Sequence, residues 1–171
     1  SGTKLLYPEF SWDGVIAPSH SMKNVFPNKT NTYRGTIQFG GCFYIFDNQS
    51  KTYFPRHFCR FKEPNFYLAS EDRLSVFVTG AFQIIEINWF IKTGGLNPSL
   101  AIGCQDVDLC MKATSDNKKV YYFGKQNFLF HDESISISKL KNTNQSTSDY
   151  VLYSKIWNYE KYIKDILKVE E

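Results

Sequence analysis

The fold of this chain is decided by residues 76–113, which read VFVTGAFQIIEINWFIKTGGLNPSLAIGCQDVDLCMKA. An apolar run over 74–85 leads into this stretch and predicts a strand covered on both faces, as in an α/β sheet. Residues 86–92 predict a short helix that ends at Gly94, because glycine readily adopts the left-handed conformation found at helix C-caps. The stretch therefore favours the α/β class.

The second half of the stretch predicts another helix, over 106–115, with an apolar inner face. That face consists of Val107, Cys110 and Met111. Two strands follow, over 120–123 and 128–130. Two chemically versatile side chains thus stand at the ends of predicted elements, Asp106 where a loop enters a helix and His131 after a strand.

The regions before this stretch add further strands to the predicted sheet. Residues 4–7 predict a strand that Pro8 stops, and 9–34 predict a long loop. Residues 36–46 are rich in strand formers and are joined by a turn to 51–54, which predicts a hairpin. We therefore expect a mixed β-sheet with flanking helices.

The C-terminal part predicts a polar, mobile segment over 135–148 and then a helix over 149–168. Ser148 and Asp149 are the expected caps of that helix. Its apolar residues recur with helical spacing, so the helix should pack back on the rest of the chain. We expect one domain over residues 1–171.

Composition limits the classes of function. The 171 residues carry 20 Lys+Arg and 17 Asp+Glu, a net charge of +3, and no basic run is interleaved with aromatic residues. Nucleic-acid binding is therefore not expected. No apolar stretch reaches the length of a membrane span. The four cysteines lack the CxxC spacing of zinc clusters.

The residue types alone leave two interpretations of Asp106 and His131 open. An aspartate at a helix start accepts backbone N–H bonds, so Asp106 is explained as an N-cap, with Asp108 as a first-turn acid. A lone histidine after an apolar strand is more often structural than a metal ligand. The functional interpretation of both residues needs further support.

The order and spacing of the motifs resemble the catalytic half of family 2 glycosyltransferases. The pattern of that family runs roughly V-T-G-A…F…G-G-[FL]…[ED]-D-x-D-L-C-x-[RK]…H-x-E-S, and this chain has TGAF, GGL, QDVDLCMK and HDES in the same order. Weaker echoes, KLLYP at 4–8 and GTIQFGG at 35–41, extend the resemblance over most of residues 4–158. It implies a partial GT-A (nucleotide-diphospho-sugar transferase) fold that lacks the N-terminal nucleotide-binding half.

The resemblance also assigns roles to residues. Asp106 matches the catalytic base of inverting members, which takes the proton of the acceptor hydroxyl. Gln105 stands where the family has an acid, and Asp108 matches the next acidic site, for which a structural or acceptor-binding role is implied. The substrate-binding residues implied by the resemblance are Thr79, Gly80, Ala81, Gly94, Gly95, Gln105 and Asp108.

His131 matches the histidine that binds a divalent metal ion, Mn²⁺ or Mg²⁺, on the diphosphate of the donor. The leaving group is a nucleoside diphosphate, so a metal rather than a general acid neutralises its charge. The metal is expected only together with the nucleotide-binding half, because no D-x-D motif precedes residue 80.

The implied partners are a nucleotide-sugar donor, a glycan acceptor and an upstream nucleotide-binding half of the same parent protein. We expect the chain to be a fragment, inactive alone, of a hexosyltransferase of polysaccharide biosynthesis, with 9–34 as an insertion. The expected location is cytoplasmic, and peripheral association of the parent with the inner face of the membrane is left open.

Two other functions compete with this interpretation. A non-catalytic carbohydrate-binding or interaction module would explain Gln105 and the missing D-x-D motif. A retaining transferase on a similar fold is less favoured, because the D-V-D-L-C context matches inverting members better.

Overall fold

The structure is a computed structural model, and it describes residues 1–7, 35–47, 52–131 and 145–157. The predicted insertion at 9–34, the turn of the predicted hairpin and most of the predicted mobile segment lie outside the described residues. The strands are β1 (Gly2–Leu6), β2 (Ile37–Phe39), β3 (Cys42–Asp47), β4 (Thr52–His57), β5 (Arg73–Leu74) and β6 (Tyr121–Phe130). The helices are α1 (Ile87–Lys92), α2 (Gln105–Ser115) and α3 (Gln145–Ile156), with a 3-10 turn at Tyr67–Ala69.

Four of the strands form a mixed sheet in the order β2-β1-β6-β5. β1 pairs parallel with β6, whereas β2 and β5 are antiparallel to their neighbours. All five residues of β1 are buried, as expected for a strand with a neighbour on each side. The described part of the chain therefore has the mixed α/β architecture that the sequence predicts.

The hairpin predicted from residues 36–46 and 51–54 is confirmed for β3 and β4, whereas residues 37–39 form β2 of the four-stranded sheet. β3 and β4 form a separate two-stranded antiparallel sheet, with Cys42 opposite His57 at one end and Asp47 opposite Thr52 at the other. The strand predicted at 4–7 is confirmed as β1. The strands predicted at 120–123 and 128–130 are parts of the single ten-residue strand β6.

The strand predicted over 74–85 is wrong beyond Leu74. Only Arg73 and Leu74 pair with β6, and the chain then leaves the sheet after Ser75 donates to Val120 O at 3.0 Å. Phe77 and Val78 are buried without a strand ladder, and the Phe77 N–H donates to Cys42 Sγ at 3.2 Å, whereas Ile84 is exposed. An apolar run signals burial, and burial alone does not separate a strand from a packed loop.

Helix α1 confirms the predicted helix over 86–92. Glu86 is its N-cap, and its carboxylate accepts from the N–H groups of Asn88 and Trp89. Gly94 follows the helix with φ of +78°, the left-handed conformation predicted for the C-cap region.

Helix α2 begins one residue earlier than predicted, at Gln105. Its N-cap is Cys104, which has φ of +62° and makes no side-chain capping bond. Asp106 therefore lies in the first turn, and the interpretation of Asp106 as the N-cap is wrong. The predicted inner face is confirmed, since Val107, Cys110 and Met111 are buried.

Helix α3 begins at Gln145, so residues 145–148 of the segment predicted as mobile are helical. Asp149 is consequently inside the helix and does not cap it. Its buried carboxylate instead accepts hydrogen bonds from another segment of the chain. The remainder of the helix predicted over 149–168 lies outside the described residues beyond 157.

The core lies where the sheet meets α2 and α3. One cluster joins buried residues of β1, β2, the segment after β5, both helices and β6. Its members include Leu5, Phe39, Phe77, Leu100, Met111, Tyr122, Tyr153 and Trp157. This packing fixes the amino end of α2, which carries Asp106, against the rest of the domain.

Candidate functional site at the amino end of helix α2

The carboxylate of Asp106 joins the two motifs that are most informative in the sequence. Its Oδ2 accepts a hydrogen bond from the Gly80 N–H at 2.7 Å, across 26 positions of sequence. Its Oδ1 accepts from the N–H of Val107 at 2.9 Å. The side chain is partly exposed, and a negative charge is favoured at the start of a helix. Asp106 is thus a fixed carboxylate that remains open to solvent.

The segment Thr79-Gly80-Ala81 approaches α2 closely because its middle residue has no side chain. A Cβ atom at Gly80 would lie 3.2 Å from Asp106 Cβ and 3.5 Å from Oδ2. Thr79 is buried, and its Oγ1 accepts from the Ala81 N–H at 3.4 Å, which turns the segment locally. Of the three predicted residues, Gly80 and Ala81 are exposed beside Asp106.

The side chains of Gln105 and Asp108 make contacts that hold α2 in place. The Gln105 side-chain amide donates to Leu100 O in the preceding loop. Asp108 is 1% exposed, and its Oδ1 accepts from Trp157 Nε1 at 2.8 Å. Its Oδ2 lies 3.0 Å from Lys112 Nζ, an ion pair, and accepts no hydrogen bond among the described residues. Of the two roles implied for Asp108, this geometry favours the structural one.

Gly94 and Gly95 are explained by the backbone turn that ends α1. Their φ angles are +78° and +70°, and their N–H groups donate to the carbonyls of Ile91 and Phe90. A Cβ at Gly95 would lie 3.3 Å from the Phe90 ring. The structure therefore places these predicted substrate-binding glycines in a helix C-cap.

His131 is held by the buried side chain of Gln38, which is not among the predicted site residues. Gln38 Oε1 lies 2.7 Å from His131 Nδ1, and Gln38 Nε2 donates to His131 O at 3.2 Å. The amide oxygen can only accept, so Nδ1 carries the proton and a neutral ring has its lone pair on Nε2. Metal-bound histidines show this arrangement, with the second nitrogen donating to a fixed acceptor. The signal available in the sequence is that Gln38 is a polar residue within an apolar strand.

Asp106 and His131 are attached to different ends of β1. The segment around Gly80 packs on the amino end, where Ile84 N donates to Ser1 O at 2.8 Å. His131 N donates to Leu6 O at 3.0 Å, at the carboxyl end of the same strand. The two ends of a five-residue strand are roughly 13 Å apart. Within residues 1–7, 35–47, 52–131 and 145–157, no group of three or more His, Cys, Asp or Glu side chains could hold a metal ion.

The Cys104 thiol and the Tyr150 hydroxyl, both near Asp106, remain protonated at neutral pH. Burial first, and then the carboxylates of Asp106 and Asp149, raise the pKa of Cys104 to about 12. Burial also raises the pKa of the Tyr150 hydroxyl, as the negative charge of Asp106 does, whereas Arg56 lowers it. Cys104 is therefore no thiolate nucleophile, which leaves the partly exposed carboxylate of Asp106 as the candidate base of this site.

A cavity of about 170 Å³ lies between α2 and α1. Its lining includes Glu86, Trp89, Leu109 and Lys118. Asp106 is not part of this lining, and its side chain is partly exposed.

No protein-family model, no curated protein and no solved structure matches this chain. Among the described residues, each of the helices is too short or too polar to cross a membrane. The function is therefore argued from the motifs and from the geometry around Asp106.

Proposed function

We propose that this chain supplies the catalytic base and the acceptor side of an inverting glycosyltransferase of family 2, on part of a GT-A fold. The reaction moves a sugar from a nucleotide-sugar donor to a hydroxyl of a glycan acceptor. The observation that carries the proposal is the 2.7 Å bond from Gly80 N–H to Asp106 Oδ2. It brings TGA and QDVDLC, two motifs of the resembled pattern, into one site.

The chemistry requires one well-placed carboxylate. The acceptor O–H gives its proton to Asp106, and its oxygen forms a bond to the anomeric carbon of the donor. The bond from that carbon to the diphosphate oxygen breaks, and the nucleoside diphosphate leaves with the electron pair. A free hydroxyl has a pKa far above 7, so proton removal during attack lowers the barrier. The partial exposure of Asp106 leaves it accessible to an acceptor.

A divalent metal, Mn²⁺ or Mg²⁺, supplies charge neutralisation of the leaving diphosphate when it is bound. The residue of this chain that would hold it is His131, through Nε2, because Gln38 fixes the proton on Nδ1. The other ligands would come from an upstream nucleotide-binding half, which also belongs to the proposal. We also propose a cytoplasmic location, which the resemblance implies.

A second candidate function is a non-catalytic carbohydrate-binding or interaction module. Two observations favour it: Gln105 replaces the first acid of the motif, and its amide is bonded to Leu100 O within the loop. Both oxygens of Asp106 also accept backbone hydrogen bonds, as a purely structural carboxylate does.

A transfer assay separates the two functions. The longest natural protein that contains this chain is incubated with Mn²⁺, a panel of nucleotide sugars and oligosaccharide acceptors, and the product is analysed by proton NMR. We expect a product whose new glycosidic bond has the anomeric configuration opposite to that of the donor. Binding of a glycan with no transfer from any donor would support the module. A product that keeps the anomeric configuration of the donor would contradict inversion.

A further inference from the structure

Helix α3 contacts the chain on both sides of Asp106. Before Asp106, the buried carboxylate of Asp149 accepts from the N–H groups of Ile102 at 2.7 Å and Gly103 at 2.8 Å, both through Oδ2. After Asp106, Trp157 Nε1 donates to Asp108 Oδ1 at 2.8 Å. Asp149 lies in α3 and Trp157 directly follows its last residue, eight positions later, so α3 and the residue after it contact both flanks of Asp106.

The bond to Asp149 closes the loop directly before α2. Two successive N–H groups point at one carboxylate oxygen, and the next residue, Cys104, has φ of +62°. A left-handed conformation is uncommon for a residue with a side chain and persists where the surroundings determine it. Helix α2 begins immediately afterwards, with Asp106 as its second residue. The position of the Asp106 carboxylate thus depends on a loop whose shape Asp149 fixes.

We propose that Asp149 is a positioning residue for Asp106: it orients the base through the loop at 102–104 without touching the substrate. The catalytic consequence rests on the function proposed above, whereas the structural consequence does not. Asp149 is 1% exposed and belongs to α3, so its proposed role does not depend on contact with the acceptor.

The first test measures amide hydrogen exchange by NMR on the full chain, comparing Asp149→Ala with the unsubstituted protein. The exchange rates at Ile102 and Gly103 should rise at least tenfold, because both lose their acceptor. The exchange rate at Gly80 should rise as well, because its N–H is held by Asp106. A role confined to the loop would leave Gly80 unchanged, and that result would overturn the inference.

A matched control is available elsewhere in the chain. Asp72 Oδ1 also accepts from two successive N–H groups, those of Gly124 and Lys125, both at 2.9 Å. Asp72→Ala should raise the exchange rate at Gly124 and Lys125 and leave that at Gly80 unaltered. If Asp149→Ala does not fold, Asp149→Glu replaces it: the charge is kept, the reach is changed, and Gly80 should again exchange faster. Unchanged exchange at Gly80 in Asp149→Glu would count equally against the inference.

The second test measures transfer by the natural full-length protein. Asp149→Ala should lower kcat about 10²-fold with the donor KM within about threefold, since a small misplacement of a catalytic group has that effect. Asp149→Asn keeps an acceptor oxygen and should restore most of kcat. If Asp106→Asn abolishes transfer while Asp149→Ala keeps the full kcat, the positioning role is wrong and the proposed function stands. If Asp106→Asn keeps transfer, the proposed function fails, whatever Gly80 shows.

Discussion

Gly80 is the residue at which close approach of the backbone matters most for the candidate site. In Gly80→Ala the new Cβ would lie 3.2 Å from Asp106 Cβ, so the bond from the N–H to Oδ2 should lengthen. We expect transfer by the full-length protein to fall roughly tenfold, because the base is displaced. The free energy of unfolding should change by less than about 1 kcal/mol, since the position is exposed. Kinetics and urea unfolding measure the two quantities.

Gly94→Ala is the control for that substitution. No atom lies within 4 Å of a Cβ at Gly94, but its φ is +78°, so alanine there is strained without touching the site. It should lower the free energy of unfolding by about 1 kcal/mol, the effect expected of backbone strain alone. Equal transfer by Gly80→Ala and the unsubstituted protein would contradict the role given to Gly80.

The sequence predicts Asp106 and His131 as site residues, but it does not predict the residues that hold them. Both are found because their types and spacings match a motif with known chemistry. Gln38 and Asp149 make bonds to residues 93 and 46–47 positions away in sequence. A partner so distant is set by the tertiary fold, and the residue type alone favours a simpler local role, such as the cap predicted for Asp149.

At the scale of elements, the contact between α2 and α3 depends on one buried polar bond. Trp157→Phe keeps most of the aromatic packing but removes the donor to Asp108 Oδ1, leaving a 1%-exposed carboxylate with its ion pair to Lys112 alone. We expect the free energy of unfolding to fall by about 1–3 kcal/mol, as for a buried acceptor that loses its partner. Chemical denaturation measures this loss of stability, and the m-value should stay unchanged.

Trp89→Phe is the matched substitution, because Trp89 lies in α1 and contacts the other end of α2. Trp89 Nε1 donates to Asp116 Oδ2 at 2.8 Å, and Asp116 is exposed, so water can replace the lost donor. The loss should therefore be smaller than for Trp157→Phe. A larger loss at Trp89 would contradict the importance given to the bond between Trp157 and Asp108.

The helices are predicted better than the segment after β5. Helix signals are local, such as Gly94 after α1 and the apolar stripe of α2, so they survive in the fold. A strand needs a neighbour to bond with, and residues beyond Leu74 have none in the described sheet. The apolar character of 76–79 is instead explained by burial of Phe77 and Val78 in the core.

At the scale of the whole molecule, buried thiols give stability a dependence on pH. Burial raises the pKa of Cys42 to about 11 and those of Cys104 and Cys110 to about 12. The folded protein therefore keeps these thiols protonated where the unfolded chain, with thiol pKa values near 9, loses the protons. The stability they contribute is complete below pH 9 and falls as the pH rises from 9 towards 11.

We expect the free energy of unfolding to fall above pH 9 by roughly 1 kcal/mol per thiol and pH unit. Burial lowers the pKa values of Lys4 and of the N-terminal amine, and this acts in the opposite direction. It also raises the pKa values of Cys59 and of four tyrosines, which act in the same direction as the three thiols: Tyr44, Tyr122, Tyr150 and Tyr153. Urea unfolding at pH 8, 9 and 10 measures the slope, and Cys110→Ala should reduce it. Stability that is constant or rising over this range would contradict the burial of the thiols.

The fold class follows from the sequence, whereas the sheet order does not. Alternating strand and helix signals predict a mixed α/β domain, and the structure has one. The parallel pairing of β1 with β6 joins residues about 120 positions apart, and no local pattern specifies it. That pairing places His131, the residue after β6, beside the carboxyl end of β1. The position of His131 relative to Asp106 could therefore not be predicted from the sequence.

The central claim is that Asp106 is a catalytic base, and the transfer rate of Asp106→Asn tests it most directly. In the natural full-length protein we expect kcat to fall about 10³-fold, because the amide cannot take the proton, with the donor Kd within about threefold. Asp116→Asn, at the other end of the same helix, should keep kcat within about twofold. An Asp106→Asn protein that transfers sugar within tenfold of the unsubstituted rate would contradict the claim.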